Sequence, residues 1–175
     1  DALTSGNSNV AIGYASLSSD TLGDRNVAIG HIALNAQNFT TSTDSYNVGV
    51  GYQAGASLTT GFRNTLIGSL VGDSLTDADN NVALGYSALS TDTLGSGAVA
   101  VGAGALNTQN FTTATTNYNV GVGLDAGKSI TTGVQNTLIG GLAGDALTDA
   151  DFNVAVGIGA LGSDTKGSRT VAIGS

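Results

Sequence analysis

The side chains able to carry charge or move protons are few, and they follow a pattern. All 13 acidic residues are aspartate, and six fall into two matching groups: Asp73, Asp77 and Asp79, then Asp145, Asp149 and Asp151. Hard cations such as calcium need several converging oxygens, and a turn carrying aspartates two residues apart supplies some of them. The spacing is neither that of an EF-hand nor that of the glycine-rich nonapeptide of calcium-binding β-rolls. The expectation is therefore solvated turn carboxylates, with no metal and no other cofactor. His31 is the only histidine and there is no cysteine. One chain thus cannot assemble a histidine or thiolate metal site, a cysteine nucleophile or a Ser-His-Asp triad. Glycosidase chemistry needs two carboxylates at a set separation across a cleft. A regular shaft offers no obvious pocket, and no enzyme activity is expected.

The remaining chemistry lies in amides, hydroxyls and a few aromatics. Two stretches, "LNAQNFTTSTDSYNVGVG" and "LNTQNFTTATTNYNVGVG", each set an aromatic beside amides and hydroxyls. Asn38, Phe39, Thr40 and Tyr46 in the first, and Asn110, Phe111, Thr112 and Tyr118 in the second, have the composition of a saccharide-contacting surface, with rings to pack and polar groups to bond. Both phenylalanines are apolar, so they can instead fold inward and cap the local core. A Ser-x-Thr column, such as Ser19/Thr21, Ser57/Thr59 and Ser74/Thr76, raises ice binding through an array of hydroxyls. The first place varies among Ser, Thr and Ala, and the column is broken at both aromatic stretches, which favours a threonine ladder bonding along a stack. His31 stands where other repeats place Tyr14, Tyr52 and Tyr86.

The elements that position these groups come from one five-residue phrase. "NVAIG" or a near-copy starts at residues 9, 26, 47, 64, 81, 98, 119, 136, 153 and 170, so the steps are 17, 21, 17, 17, 17, 21, 17, 17 and 17 residues. A short period of this kind marks a solenoid, in which no turn of chain buries its own apolar face alone. The expected fold is all-β: a parallel solenoid of about ten coils, each with two short strands and two turns, roughly 45–50 Å long at strand spacing. Residues 81–152 repeat residues 9–80, and residues 153–175 begin a third block, so the whole of 1–175 reads as one repeat domain cut from a longer fibre. Glycine closes the phrase in all ten copies, where a positive φ or a close backbone approach is expected. The leading Asn suits the turn before the strand, because it tolerates the left-handed region and bonds nearby backbone. Stacked in register, these Asn side chains would form an amide ladder. Between two β-favouring residues sits Ala or Gly, except at Leu66 and Leu138. That small-residue face is expected to be a surface the lone chain exposes and buries against identical chains around a three-fold axis. The alternative is that it fits a narrow lumen.

With 27 Gly, no Pro, Cys, Met or Trp and a formal charge of −8, nucleic acid and anionic membranes are improbable partners, since both demand a basic face. No apolar run approaches the roughly 20 residues of a membrane span.

"NVAIG" followed by "ASL" or "SAL" resembles the head repeat of the YadA-like trimeric autotransporter adhesins, across residues 9–174. Those heads use a shorter coil, whereas the element "TTGxxNTLIG" at residues 59–68 and 131–140 is more similar to repeats of phage and other viral tail-fibre proteins. The resemblance implies a left-handed parallel β-roll and a homotrimer, located extracellularly on a virion fibre or a cell surface. It further implies a shaft or head that contacts a host glycan or protein receptor. A bacterial adhesin head would use the same residues.

Overall fold

The computed structural model describes residues 4–175. Val, Ile, Leu and Thr on either side of one small residue favour extended backbone, and each repeat phrase duly forms a three-residue strand. In chain order the strands are β1 (Val10–Ile12), β2 (Gly23–Asp24), β3 (Val27–Ile29), β4 (Thr43–Asp44), β5 (Val48–Val50), β6 (Thr65–Ile67) and β7 (Val82–Leu84). There follow β8 (Gly95–Ser96), β9 (Val99–Val101), β10 (Thr115–Thr116), β11 (Val120–Val122), β12 (Thr137–Ile139), β13 (Val154–Val156) and β14 (Val171–Ile173). Among the described residues there is no helix, and hence none long and apolar enough to cross a membrane.

Ten strands form one parallel sheet in the order β1-β3-β5-β6-β7-β9-β11-β12-β13-β14. The register follows the phrase throughout, with Val10 opposite Val27, Val27 opposite Val48 and Val48 opposite Thr65. The chain is a parallel β-solenoid of about ten coils. Only one strand per coil recurs along the whole rod. Among the described residues, a second strand forms solely where the register step is long, as the pairs β2·β4 and β8·β10. Elsewhere the Ser-x-Thr half of the coil is turn, and stacking is carried by single bonds such as Thr59 N to Thr76 O and Thr76 N to Thr93 O.

The two sides of the main sheet are the reverse of the first expectation. Between the two terminal strands the middle residue points inward: Ala28, Leu66, Ala83, Ala100, Leu138 and Ala155 are fully buried. The flanking Val, Ile, Leu and Thr face outward. The cause is the narrowness of the coil, whose interior already holds Leu17, Leu34, Leu58, Leu75, Leu89, Leu106, Ile130 and Leu147. Opposite Leu34 the strand can carry only Gly49, where a Cβ would lie 2.7 Å from the leucine Cγ. Where the strand carries Leu66, room comes instead from Gly55 and Gly72, whose added Cβ atoms would lie 2.7 and 2.9 Å from its methyls. Leu66 and Leu138 are therefore complementary packing, at the density expected of protein interiors.

The closing glycine meets both expected demands. Gly85 has φ +133°, and a Cβ there would sit 2.6 Å from the Gly102 carbonyl. The leading Asn behaves differently from expectation. The left-handed residue is the one before it, in every coil from Ser8 (φ 59°) to Arg169 (φ 60°). The Asn itself is a bracket between coils. The Oδ1 atoms of Asn47 and Asn64 accept the backbone N–H of Asn64 and Asn81 at 2.9 and 3.0 Å. The Nδ2 of Asn64 donates to Ala78 O at 2.7 Å. Direct amide-to-amide contacts occur between Asn64 and Asn47 and between Asn136 and Asn119, at 3.3 and 3.2 Å.

Candidate functional site

The two long coils leave the regular stack where the sequence adds residues, and a buried polar relay holds each of them. Asp20, in the preceding coil, accepts the backbone N–H of Gly23 at 3.0 Å and that of Phe39 at 3.3 Å, and takes the Gln37 amide at 2.6 Å. Gln37 in turn accepts Asn47 Nδ2 at 2.9 Å. The second block repeats this with Asp92, Gln109 and Asn119 at 2.6 and 2.9 Å. Asp20, Gln37, Asp92 and Gln109 are all fully buried. A buried carboxylate is tolerated when several donors converge on it.

This anchoring decides which candidate residues face a ligand. Phe39 and Phe111 are only 6% and 5% exposed. Their rings turn inward because their own N–H groups are pinned to Asp20 and Asp92, so they do not supply the aromatic contact surface. Asn38 and Asn110 accept the hydroxyls of Thr21 and Thr93 at 3.1 Å, which ties them to the coil before. Thr40 and Thr112 lie exposed at the loop tips. Tyr46 and Tyr118 carry the outward rings, 45% and 62% exposed. Of the eight candidates, the tyrosines, the threonines and Asn38 are fully on the surface, and Asn110 is half-buried.

Four of the six turn aspartates, Asp77, Asp79, Asp149 and Asp151, are bonded within the solenoid, whereas Asp73 Oδ1 is buried without a hydrogen-bond partner. Asp77 accepts Thr60 Oγ1 at 2.8 Å, Asp79 accepts the Phe62 N–H at 3.0 Å, and Asp151 accepts the Val134 N–H at 2.8 Å. Burial raises the Asp79 pKa above the ordinary carboxylate value, Asp77 adds to the rise, and the Phe62 N–H and Arg63 oppose it. Burial also raises that of Asp73. Asp149 is lowered, first by the Thr148 hydroxyl and then by its own backbone and Lys166. Among the described residues, no three His, Cys, Asp or Glu side chains gather as a metal-binding group.

His31 lies in the exposed column after the closing glycine, stacked between Tyr14 and Tyr52 with ring centroids 5.2 and 5.5 Å away. The threonine hydroxyls of the Ser-x-Thr column turn along the rod: Thr59 and Thr76 Oγ1 donate to the carbonyls of Thr76 and Thr93 at 3.1 and 3.0 Å. Protons engaged in this way are not presented to a surface lattice.

No protein-family model matches the chain, and neither curated proteins nor solved structures yield a significant match.

Proposed function

We propose that this chain is a rigid structural and adhesive segment of a trimeric host-attachment fibre of the viral tail or virion type, spacing or presenting a surface for host glycans. The observation that carries the reading is the outward face of the ten-stranded sheet. It lines up Ile12, Ile67, Val82, Leu84, Ile139 and Ile173 as exposed aliphatics along one side of the rod. An apolar stripe that runs the length of a solenoid is what side-by-side packing of identical chains would cover, and closed three-fold packing covers it without leaving an open stack. Stiffness follows from parallel stacking, which leaves sheet edges only at the two ends. Exposed Tyr46 and Tyr118, amid hydroxyls and amides, supply surface suited to saccharides.

Sedimentation of the purified segment tests the assembly. The expected particle is elongated and three times the 17.1 kDa chain mass, and Leu84→Asp with Ile139→Asp converts it to monomer. A wild-type monomer at micromolar concentration refutes the trimeric reading.

A further inference from the structure

The two blocks are near-copies, so the place where their surfaces diverge is informative. In the first block the flank of the long coil is closed by its own side chains. Arg25 Nε pairs with Asp44 Oδ1 at 2.9 Å, its guanidinium lies 5.7 Å from the Tyr46 ring centroid, and Tyr46 Oη donates to Asp44 Oδ2 at 3.1 Å. Beneath them Asp24 accepts the Asn7 N–H and the Ser42 hydroxyl. In the second block, 72 residues on, the same places hold Gly97, Thr116, Tyr118, Ser96 and Ala114. Gly97 is the sole glycine in the left-handed column that precedes the strand, a column that elsewhere carries side chains as large as Arg63 and Tyr46. The conformation therefore does not call for glycine there. What the glycine does is remove the arm that covers the tyrosine.

The result is an open groove of about 510 Å3, lined by Asp77, Asp79, Ser96, Gly97, Thr116 and Tyr118 among others. That volume falls within the roughly 300–1,000 Å3 of small-molecule sites. Its chemistry is specific. Tyr118 offers an exposed aromatic face. Ser96 Oγ accepts the Asp79 N–H at 2.9 Å, which leaves its proton to donate. Asp77 and Asp79 each use Oδ1 within the solenoid, at 2.8 and 3.0 Å, and their second oxygens remain as acceptors. No lysine or arginine lines the groove. Arg63 acts on Asp79 from outside the groove, so the groove itself presents carboxylate oxygens that disfavour anionic sugars and accept hydroxyl donors, while an exposed ring packs on the C–H face of a pyranose.

We infer that the groove between Asp77/Asp79 and Tyr118 is a binding subsite for a neutral saccharide unit, open in the second block and closed in the first by the Arg25–Asp44 pair. The site rests on the glycan-contact reading above and gives it a location and a charge preference.

Saturation-transfer NMR on the 175-residue chain, with methyl glycosides of glucose, galactose and N-acetylglucosamine, and with sialyllactose as the anionic probe, tests it. The decisive variant is Gly97→Arg with Thr116→Asp, which rebuilds the pair the first block already folds with. Tyr118→Ala removes the ring alone. The expected result is signal from at least one neutral glycoside and a drop of tenfold or more in both variants. Arg25→Gly with Asp44→Thr is expected to add no signal, because Ser5 and Asn7 stand in the first block where Asp77 and Asp79 stand in the second. Neutral-sugar binding that survives Gly97→Arg/Thr116→Asp overturns the groove and leaves the glycan-contact reading standing at another surface. Stronger binding of sialyllactose overturns the charge argument and with it the subsite. Wild-type silence toward every probe overturns both the subsite and the glycan-contact reading, and leaves only the spacer role that sedimentation addresses.

Discussion

Replacing Gly85 with alanine puts the stacking geometry to a quantitative test. Gly85 lies in the centre of the rod with φ +133°, a region essentially closed to residues with a Cβ, and holding alanine there costs about 1–3 kcal/mol. A second cost comes from space. The new methyl would sit 2.6 Å from the Gly102 carbonyl and 3.0 Å from Ala103 N, all of it backbone that cannot swing aside. The neighbouring coil must retreat, which strains the bonds from Gly102 N to Leu84 O at 2.8 Å and from Gly104 N to Tyr86 O at 3.0 Å. At about 0.5–1.5 kcal/mol each, losing both brings the total to about 2–6 kcal/mol. Two other glycines separate the terms. Gly159 has φ +66° with nothing within 4 Å, so Gly159→Ala carries only the left-handed penalty of about 1–2 kcal/mol. Gly141 has no positive φ and only the Leu124 carbonyl at 3.9 Å, so Gly141→Ala is expected to stay within about 0.5 kcal/mol of wild type. Urea unfolding followed by circular dichroism ranks the three. If Gly85→Ala costs no more than Gly159→Ala, coil-to-coil contact is not what the glycine column is for.

Three further outcomes follow from individual side chains. Asn26 Oδ1 accepts the Asn47 N–H at 2.9 Å and Ser45 Oγ at 2.8 Å; in the second block Ala98 replaces the Asn, and Asn117 Oδ1 takes over the Asn119 N–H at 2.9 Å. Asn26→Ala is therefore expected to cost about 1–3 kcal/mol by orphaning a buried N–H, and adding Ser45→Asn to recover most of it; a double-mutant cycle with no coupling would contradict this exchange. The Asp24 carboxyl is held below its ordinary value of 3.8, first by the Asn7 N–H and then by the Ser42 hydroxyl. Its contribution is thus present above pH 3.8 and lost as pH falls through the lowered folded value. Wild type should exceed Asp24→Asn in urea midpoint at pH 7 and converge with it in acid. Asp79, raised by burial, should show the opposite slope against Asp79→Asn.

Much of this architecture could be read from spacing alone. Identical phrases at fixed steps give the parallel register, the glycine column gives the close approach, and the longer steps give the two places where a loop leaves the stack. The orientation of the strand could not be read by polarity, because in Val-Ala-Ile both faces are apolar. Size decides it, since the coil that Leu34 or Leu89 already fills leaves the strand room for at most a methyl, and opposite Leu34 not even that. The left-handed residue was misplaced by one because Asn tolerates that conformation, yet an Asn that brackets the next coil must itself be extended. Asp20 and Gln37 were missed because isolated Asp and Gln are ordinarily solvated; the signal was "DTLG" one coil ahead of each "QNF". The inward turn of Phe39 and Phe111 follows from that same hidden carboxylate. Tyr118 was legible as an exposed aromatic, whereas the groove beside it required comparing Gly97 with Arg25 at equivalent places.

The direction of the hydrogen bonds has a mechanical consequence. Bonds such as Thr65 N to Asn81 O at 2.8 Å and Gly68 N to Val50 O at 2.8 Å join successive coils and so run along the rod. A pull on the two ends loads every bond of one coil boundary in parallel and successive boundaries in series, so extension would open one coil at a time. Each released coil would pay out a length of slack chain, so that the rod would act as a shock absorber. Compression meets glycine backbone already in contact and has nowhere to go. A strut of this kind would resist a push along its axis and yield gradually when tugged.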